Sequence, residues 1–254
     1  MSVLNASNVV KIYKGLGKSN STKALNGIYI TIENGEFVAI MGPSGSGKTT
    51  LLNILSGIDK LTSGDIEISG QNINIMTKDE LALFRRRHLG FVFQEFNLLD
   101  SLTLKENVML PMILDDKEPE DIQIKADEVM AMFNIEDIME KYPYTVSGGQ
   151  QQRTAISRAI INNPDIIFAD EPTGNLDSKS SKNVMKCFEK LNTINKNTVL
   201  IVTHDSFAAS YCNRVIFIKD GIVNMEIRKD GTRKEFFDNI LGCLALIGGA
   251  EDDF

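Results

Sequence analysis

Cysteine is scarce in this chain, histidine scarcer, and no apolar stretch is long. The three cysteines among 254 residues, Cys187, Cys212 and Cys243, are odd in number and widely spaced. That spacing excludes a zinc-ligand pattern and a disulfide framework, and it points to a reducing compartment such as the cytosol. No run approaches the roughly 18 apolar residues that a membrane-crossing helix needs. The longest stretches, Val199 to Thr203 and Cys243 to Ile247, are far shorter. The N-terminus lacks a charged segment followed by an apolar one, so no secretory signal is expected. Positive charge is not in excess either. A net charge of −7 and a pI near 5.0 argue against nucleic acid as a partner held by a basic surface. Internal repeats and low-complexity segments are missing. Any role at a membrane is therefore expected from its cytoplasmic side, through another protein.

What is present is an ordinary globular composition, 43% hydrophobic and 24% charged, enough for one large α/β domain or two small ones. Leu4 to Tyr13 and Ala24 to Ile32 read as strands around a loop, Gly15 to Thr22, and Asn34-Gly35 is a turn signal. Phe37 to Met41, Asp65 to Ile68 and Leu89 to Phe93 also read as strands, and Asp79 to Arg87 as a charged helix. From Ser101 to about Asn162 the pattern turns helical, with Lys125 to Phe133 and Gln150 to Ile161 as helices and Asp115 to Asp121 as a solvated loop. Strands return at Asp165 to Ala169, Thr198 to Thr203 and Arg214 to Lys219, with Ser178 to Asn192 a helix between them. Such alternation predicts a largely parallel sheet covered on both faces.

Two glycine-rich stretches carry the chemistry. Gly42-Pro43-Ser44-Gly45-Ser46-Gly47-Lys48-Thr49 fits the phosphate-loop pattern G-x-x-x-x-G-K-[ST], with an apolar strand, Phe37 to Met41, before it and a helical stretch, Thr49 to Leu55 and so including Thr50, after it. Glycines let backbone N–H groups turn around an anion. Lys48 would reach the outer phosphates and the Thr49 hydroxyl would bind Mg²⁺. No second phosphate loop occurs. The other stretch, Ser147-Gly148-Gly149-Gln150, heads a helix, whose unsatisfied N–H groups favour an anion. A simple serine cap with glycines for packing is the plainer alternative. Between them in importance stands Ile166 to Glu171, an apolar strand ending in two carboxylates. Asp170 there can hold Mg²⁺ or its waters, and Glu171 can accept a proton from an attacking water, although paired acids also serve as helix caps. One nucleotide has one terminal phosphate, and the first loop already cradles it. A second phosphate-grade site is best explained if it serves a nucleotide held by a second copy of the chain.

At this point the residues resemble the ATP-binding-cassette ATPases, over residues 1 to about 226. The resemblance implies an α/β phosphate-loop NTPase core with a parallel sheet, an N-terminal antiparallel β subdomain and an inserted helical subdomain, about 96–162. Residues 227–254 would form a C-terminal helical extension. It implies ATP and Mg²⁺ as ligands, Gly42 to Thr49 as the Walker A loop, Ser147 to Gln150 as the signature facing the partner copy's ATP, and Ile166 to Glu171 as Walker B with Glu171 as base. Gln94 matches the residue that senses Mg²⁺ and the attacking water and couples to the membrane subunit. Asn175-Leu176-Asp177 resembles the D-loop. His204 matches the switch histidine on the terminal phosphate. Tyr13 stands where an aromatic stacks on adenine, an ordinary strand tyrosine being the alternative. His88, with Arg85, Arg86 and Arg87, reads as a solvated helix face. Val146 departs from the family's leucine and is conservative in shape.

Within the family, the stretches Phe91 to Leu99 and Ala169 to Asp177 and the loop Gly15 to Thr22 are similar to the group serving macrolide exporters, lipoprotein-release complexes and the cell-division ATPase. Tyr142-Pro143-Tyr144, Ala208 to Cys212, Phe236-Phe237 and Ile247-Gly248-Gly249 look like the bacitracin-resistance-type ATPases of Gram-positive bacteria. That implies an ATP-sandwich dimer at the cytoplasmic face of the membrane, an integral membrane permease and often a sensor histidine kinase reached through it. The rival readings are a non-transporting mechanical ATPase of the cell-division type and a lipoprotein-release or macrolide-export ATPase. In the tail, Phe236, Phe237, Ile240, Leu241 and Leu244 share one helix face, for packing on its own domain or for contact with a partner.

Overall fold

The computed structural model describes residues 1–14 and 21–247. In chain order they form β1 (Ser2–Lys14), β2 (Ser21–Glu33), β3 (Phe37–Met41), α1 (Lys48–Leu55), β4 (Ser63–Ile68), β5 (Gln71–Asn72), α2 (Lys78–His88) and β6 (Leu89–Val92). Then follow α3 (Leu104–Ile113), α4 (Pro119–Met132), α5 (Gly148–Ile160), β7 (Ile166–Asp170), α6 (Ser178–Thr193), β8 (Thr198–Val202), α7 (Ser206–Ala209), β9 (Arg214–Lys219), β10 (Ile222–Arg228) and α8 (Arg233–Ile247). Most of the loop expected at Gly15 to Thr22 lies outside the described residues, as do Gly248 and Gly249. Ser21 and Thr22 already belong to β2. Two compact units share the chain, Met1–Leu81 with the segment from Leu200 onward, and Ala82–Val199.

The first unit holds an antiparallel sheet ordered β2-β1-β4-β5. Leu4 and Ala6 of β1 and Ile28, Ile30 and Ile32 of β2 turn to the core, the period-2 alternation of a half-buried sheet, and a register shift after Ala6 brings Val9 to the same core. The Asn34-Gly35 turn joins β2 to β3, with Gly35 at φ 75. β3 runs parallel to β9, and every residue of β3 is buried, as expected of a strand covered on both faces. At the end of β8, Thr203 N–H donates to Ile40 O at 3.1 Å, which sets the exit of β8 beside the exit of β3. A further antiparallel strand, β10, pairs with β9 through a two-residue turn, Asp220-Gly221, with φ of 51 and 74. This is the left-handed pair that the Asp-Gly signal favours.

The C-terminal helix belongs to this unit. α8 lies against α7 with Phe236, Ile240 and Ile247 buried. The Arg233 guanidinium sits 4.3 Å from the Tyr211 ring centroid, and Lys219 Nζ donates to Ile247 O at 2.8 Å. Packing on its own domain is therefore realised for Phe236 and Ile240. Leu241 stays exposed.

In the second unit, β6 and β7 pair in parallel, Leu89 opposite Ile166 and Val92 opposite Ala169. α5 comes so close to β6 that a Cβ on Gly90 would stand 2.5 Å from Ala159 O. The helical stretch differs from the sequence reading in three places. α3 is an additional helix, opened by a capping box in which Thr103 and Glu106 bond each other's backbone. α4 starts at Pro119, well before Lys125, because proline suits the first turn, where its missing N–H costs nothing. The segment from Asp115 is not simply solvated. The Asp115 side chain is 2% exposed, with Arg87 Nε at 2.7 Å and Lys117 Nζ at 3.2 Å. The basic run ending α2 is likewise engaged. Besides Arg87, Arg86 donates to Leu114 O, and His88 stacks on Phe84 with its Nδ1 2.9 Å from Asp165 Oδ2.

Candidate nucleotide site

The phosphate-loop pattern leaves β3 and turns on glycines that tolerate no other residue. Gly42 (φ 155) would place a Cβ 2.0 Å from Ile218 O, and Gly47 (φ 100) would place one 2.6 Å from Ala24 O. Gly45 also sits at positive φ, 78. Gly47 caps α1 and brings no side chain to the first-turn N–H groups, so the helix end is open to an anion. Lys48 Nζ donates to Gly42 O and Pro43 O, each at 2.9 Å, and so lies folded over its own loop. Ser46 Oγ is buried with no hydrogen-bond partner. An orphaned hydroxyl beside three cradle glycines fits a phosphate ligand. Pro43, Ser44, Gly45 and Thr49 are exposed, and Thr50 follows in the first turn of α1.

Tyr13 is tied into the same unit. It pairs with Thr22 across β1 and β2, and two residues further on, Ala24 meets Gly47 of the loop. Tyr13 is 43% exposed, and its side chain is held at the hydroxyl and over the ring. The hydroxyl donates to Asp59 Oδ2 at 2.9 Å, and Lys11 Nζ sits 4.7 Å from the ring centroid while bonding Asp59 at 2.8 Å. Burial raises the Asp59 pKa, but the Lys11 and Tyr13 hydrogen bonds outweigh it and hold the carboxyl below its ordinary value. His204 follows β8 at the same edge as the loop. It is exposed, between the buried Thr203, whose Oγ1 accepts from Asp205 N–H at 3.0 Å, and Asp205, which caps α7 at 2.8 Å.

The second unit gathers the remaining candidates at the ends of β6 and β7. β7 ends in Asp170, and Glu171 turns out of it at φ 44, a left-handed conformation that costs a non-glycine residue on the order of 1 kcal/mol. Gln94 Nε2 donates to Asn175 Oδ1 at 3.3 Å, and Asn175 Nδ2 returns a bond to Gln94 O at 3.2 Å. A Cβ on Gly174 would stand 2.9 Å from Gln94 Nε2. Among the described residues no group of three or more His, Cys, Asp or Glu side chains forms a metal cage. The Thr49 hydroxyl, the Gln94 amide oxygen and the Asp170 carboxylate are hard oxygen donors of the kind that Mg²⁺ takes.

The helix heading Ser147 to Gln150 answers to both readings of its sequence. Ser147 caps α5, and Gln150 Oε1 accepts from Ser147 N–H at 2.9 Å and from its hydroxyl at 3.1 Å. The glycines also pack. A Cβ on Gly149 would meet Ser180 Oγ at 2.9 Å, and one on Gly148 would meet Leu176 Cδ2 at 3.1 Å. Asp177 caps the adjoining α6 through the N–H groups of Lys179 and Ser180. Ser147→Ala should therefore cost about 1 kcal/mol of stability, read as a lower urea midpoint. One site residue escaped sequence reading. Gln152 is buried in α5, and its Nε2 donates to Pro172 O at 2.8 Å and Phe93 O at 3.3 Å, joining that helix to both strand ends.

The sequence profile of the ABC transporter family matches residues 15–174. The chain is 50% identical over 254 residues to the uncharacterized ABC transporter ATP-binding protein YvcR of Bacillus subtilis, covering 100% of this chain and 98% of that protein. It is 48% identical to the bacitracin export ATP-binding protein BceA of Halalkalibacterium halodurans, covering 100% of both. Among solved structures it is similar to the ATP-binding cassette MJ0796, in a dimeric post-hydrolysis state bound to ADP and Pi. That match has a TM-score of 0.81 and 44% identity, over 90% of this chain and 99% of the other.

Proposed function

The chain belongs to the ABC transporter family as an ATP-binding, ATP-hydrolysing subunit, and on that premise we propose that it drives a membrane permease in resistance to peptide antibiotics of the bacitracin kind. One observation carries the reading. Similarity to the bacitracin export protein runs through all 254 residues, α8 included, at 100% of both chains. The related archaeal protein MJ1508 matches over only 227 residues, although all of that protein is covered. Among the described residues no helix is long and apolar enough to cross a membrane. In this proposal the protein works at the cytoplasmic face, bound to an integral membrane permease and, through it, to a sensor histidine kinase.

Phosphoryl transfer depends mainly on positioning and charge stabilisation. Gly42 to Gly47 hold the β- and γ-phosphates on backbone N–H groups, and Lys48 moves from its loop carbonyls to the phosphate oxygens. Thr49, Gln94 and Asp170 are the residues that would hold Mg²⁺, which would supply charge neutralisation of the phosphates. Glu171 takes a proton from the attacking water as its oxygen bonds the γ-phosphorus. The bond to the bridging oxygen breaks, and ADP and phosphate leave. His204 holds the γ-phosphate and orients that water. Tyr13 stacks on adenine, so Tyr13→Ala should raise KM for ATP about tenfold, with kcat little changed. Ser147 to Gln150 complete the site on the second copy, giving a homodimer that sandwiches two ATP molecules.

The resistance reading is tested in a host lacking its own bacitracin exporter. The chain co-expressed with its permease should raise the inhibitory bacitracin concentration, and the Glu171→Gln form should not. Equal susceptibility with both would reject it.

A further inference from the structure

A cavity of about 330 Å³ opens between the end of α4 and the flanks of α5 and α6. Its polar lining is basic: Arg153 of α5, Lys186 and Lys190 of α6, and the amides of Asn134 and Asn183, with no carboxylate among the lining residues. In a chain whose net charge is −7, three cations facing one space without an acid make a local excess of positive charge.

One donor among them is unmet. Arg153 Nε is buried with no hydrogen-bond partner, and an unmet donor on a charged group carries a desolvation penalty. Among the described residues neither Arg153 nor Lys186 has an ion-pair partner, and Lys190 Nζ reaches only Met132 O, at 3.0 Å. Lys182, Lys186 and Lys190 recur every four residues on α6, a like-charge spacing that weakens the helix carrying it. A stripe of surface lysines alone would suit any solvated face. The concavity and the buried, unmet guanidinium N–H single out this stretch.

We propose that the cavity binds a small phosphoryl anion, held by Arg153 from α5 and by Lys186 and Lys190 from α6. Guanidinium forks match the paired oxygens of a phosphate, lysines neutralise its remaining charge, and the Asn134 and Asn183 amides donate to its edge. The volume admits pyrophosphate or one phosphorylated metabolite. The anion would bridge α5 and α6, the helices that begin at the Ser147 and Asp177 caps.

Calorimetric titration of the full-length Lys48→Ala protein at low salt, where the phosphate loop has lost its lysine, tests this. Pyrophosphate should bind one per chain. Arg153→Gln and, independently, the exposed pair Lys186→Gln/Lys190→Gln should each weaken it at least tenfold, and the exposed pair keeps the test free of any packing role of Arg153. Titrating AMP in parallel separates the sources. Pyrophosphate binding alone assigns a free oxyanion, while AMP binding with the same sensitivity assigns a nucleotide phosphate. No binding of either probe, binding that both variants leave unchanged, or binding only to anionic lipid vesicles would overturn the proposal.

Discussion

Replacing Glu171 by Gln should slow ATP turnover about a thousandfold while leaving ATP affinity within about threefold. The amide keeps the shape of the side chain and removes only its capacity to take a proton from water. Loss in kcat without loss of binding is the mark of a group used in the transition state. The backbone strengthens the expectation. Glu171 holds a left-handed φ of 44 directly after β7, a conformation with no intrinsic benefit for glutamate, and such strain gathers at functional positions. Glu171→Gly removes carboxylate and strain together. It should lose turnover as fully as Glu171→Gln while remaining at least as stable to urea as the parent. Single-turnover kinetics and urea titration of the two variants check both halves, and turnover retained by either would remove Glu171 from the role of base.

Lys48→Ala should weaken ATP binding about a hundredfold, the equivalent of about 3 kcal/mol. Lys48 Nζ donates to the carbonyls of Gly42 and Pro43 at 2.9 Å, within the loop proposed to cradle the outer phosphates. Hydrogen bonds to charged groups contribute about 1.5–3 kcal/mol each, and this ammonium supplies more than one. Lys48→Arg should recover little, because a planar guanidinium cannot replace a point charge inside a loop this close to its own backbone. Equilibrium titration with a fluorescent ATP analogue reads the effect, and an affinity within threefold of the parent would contradict it.

The phosphate loop was legible because local sterics write it. Gly42 and Gly47 face carbonyls of Ile218 and Ala24 at distances no Cβ survives, so the sequence must put glycine there. The apolar strands β3, β7 and β8 were legible for a related reason, since full burial demands uninterrupted hydrophobic runs. Two elements escaped although local signals exist. Thr103 and Glu106 form a capping box ahead of α3, but Pro111 inside that helix hides its pattern. Asp220-Gly221 marks the hairpin into β10, whose residues are too exposed to read as core. Gln152 could not have been found by any local rule. Its partners, the carbonyls of Phe93 and Pro172, are 59 and 20 residues away, and nothing in Gln150-Gln151-Gln152 sets the third apart. At the signature the serine cap and the packing glycines are both present, so the motif fulfils a structural role before any nucleotide meets it.

The central claim is that the two glycine stretches serve two different nucleotides, one bound by the chain itself and one by its second copy. Light scattering coupled to gel filtration, with ATP in the buffer, tests it directly on Glu171→Gln and on Glu171→Gln/Ser147→Asp, which keeps a capping side chain and adds a carboxylate that repels an incoming phosphate. The account predicts a dimer for the first protein, and for the second a monomer that still binds one ATP per chain. A monomer for Glu171→Gln with ATP bound, or a dimer for both, would contradict it.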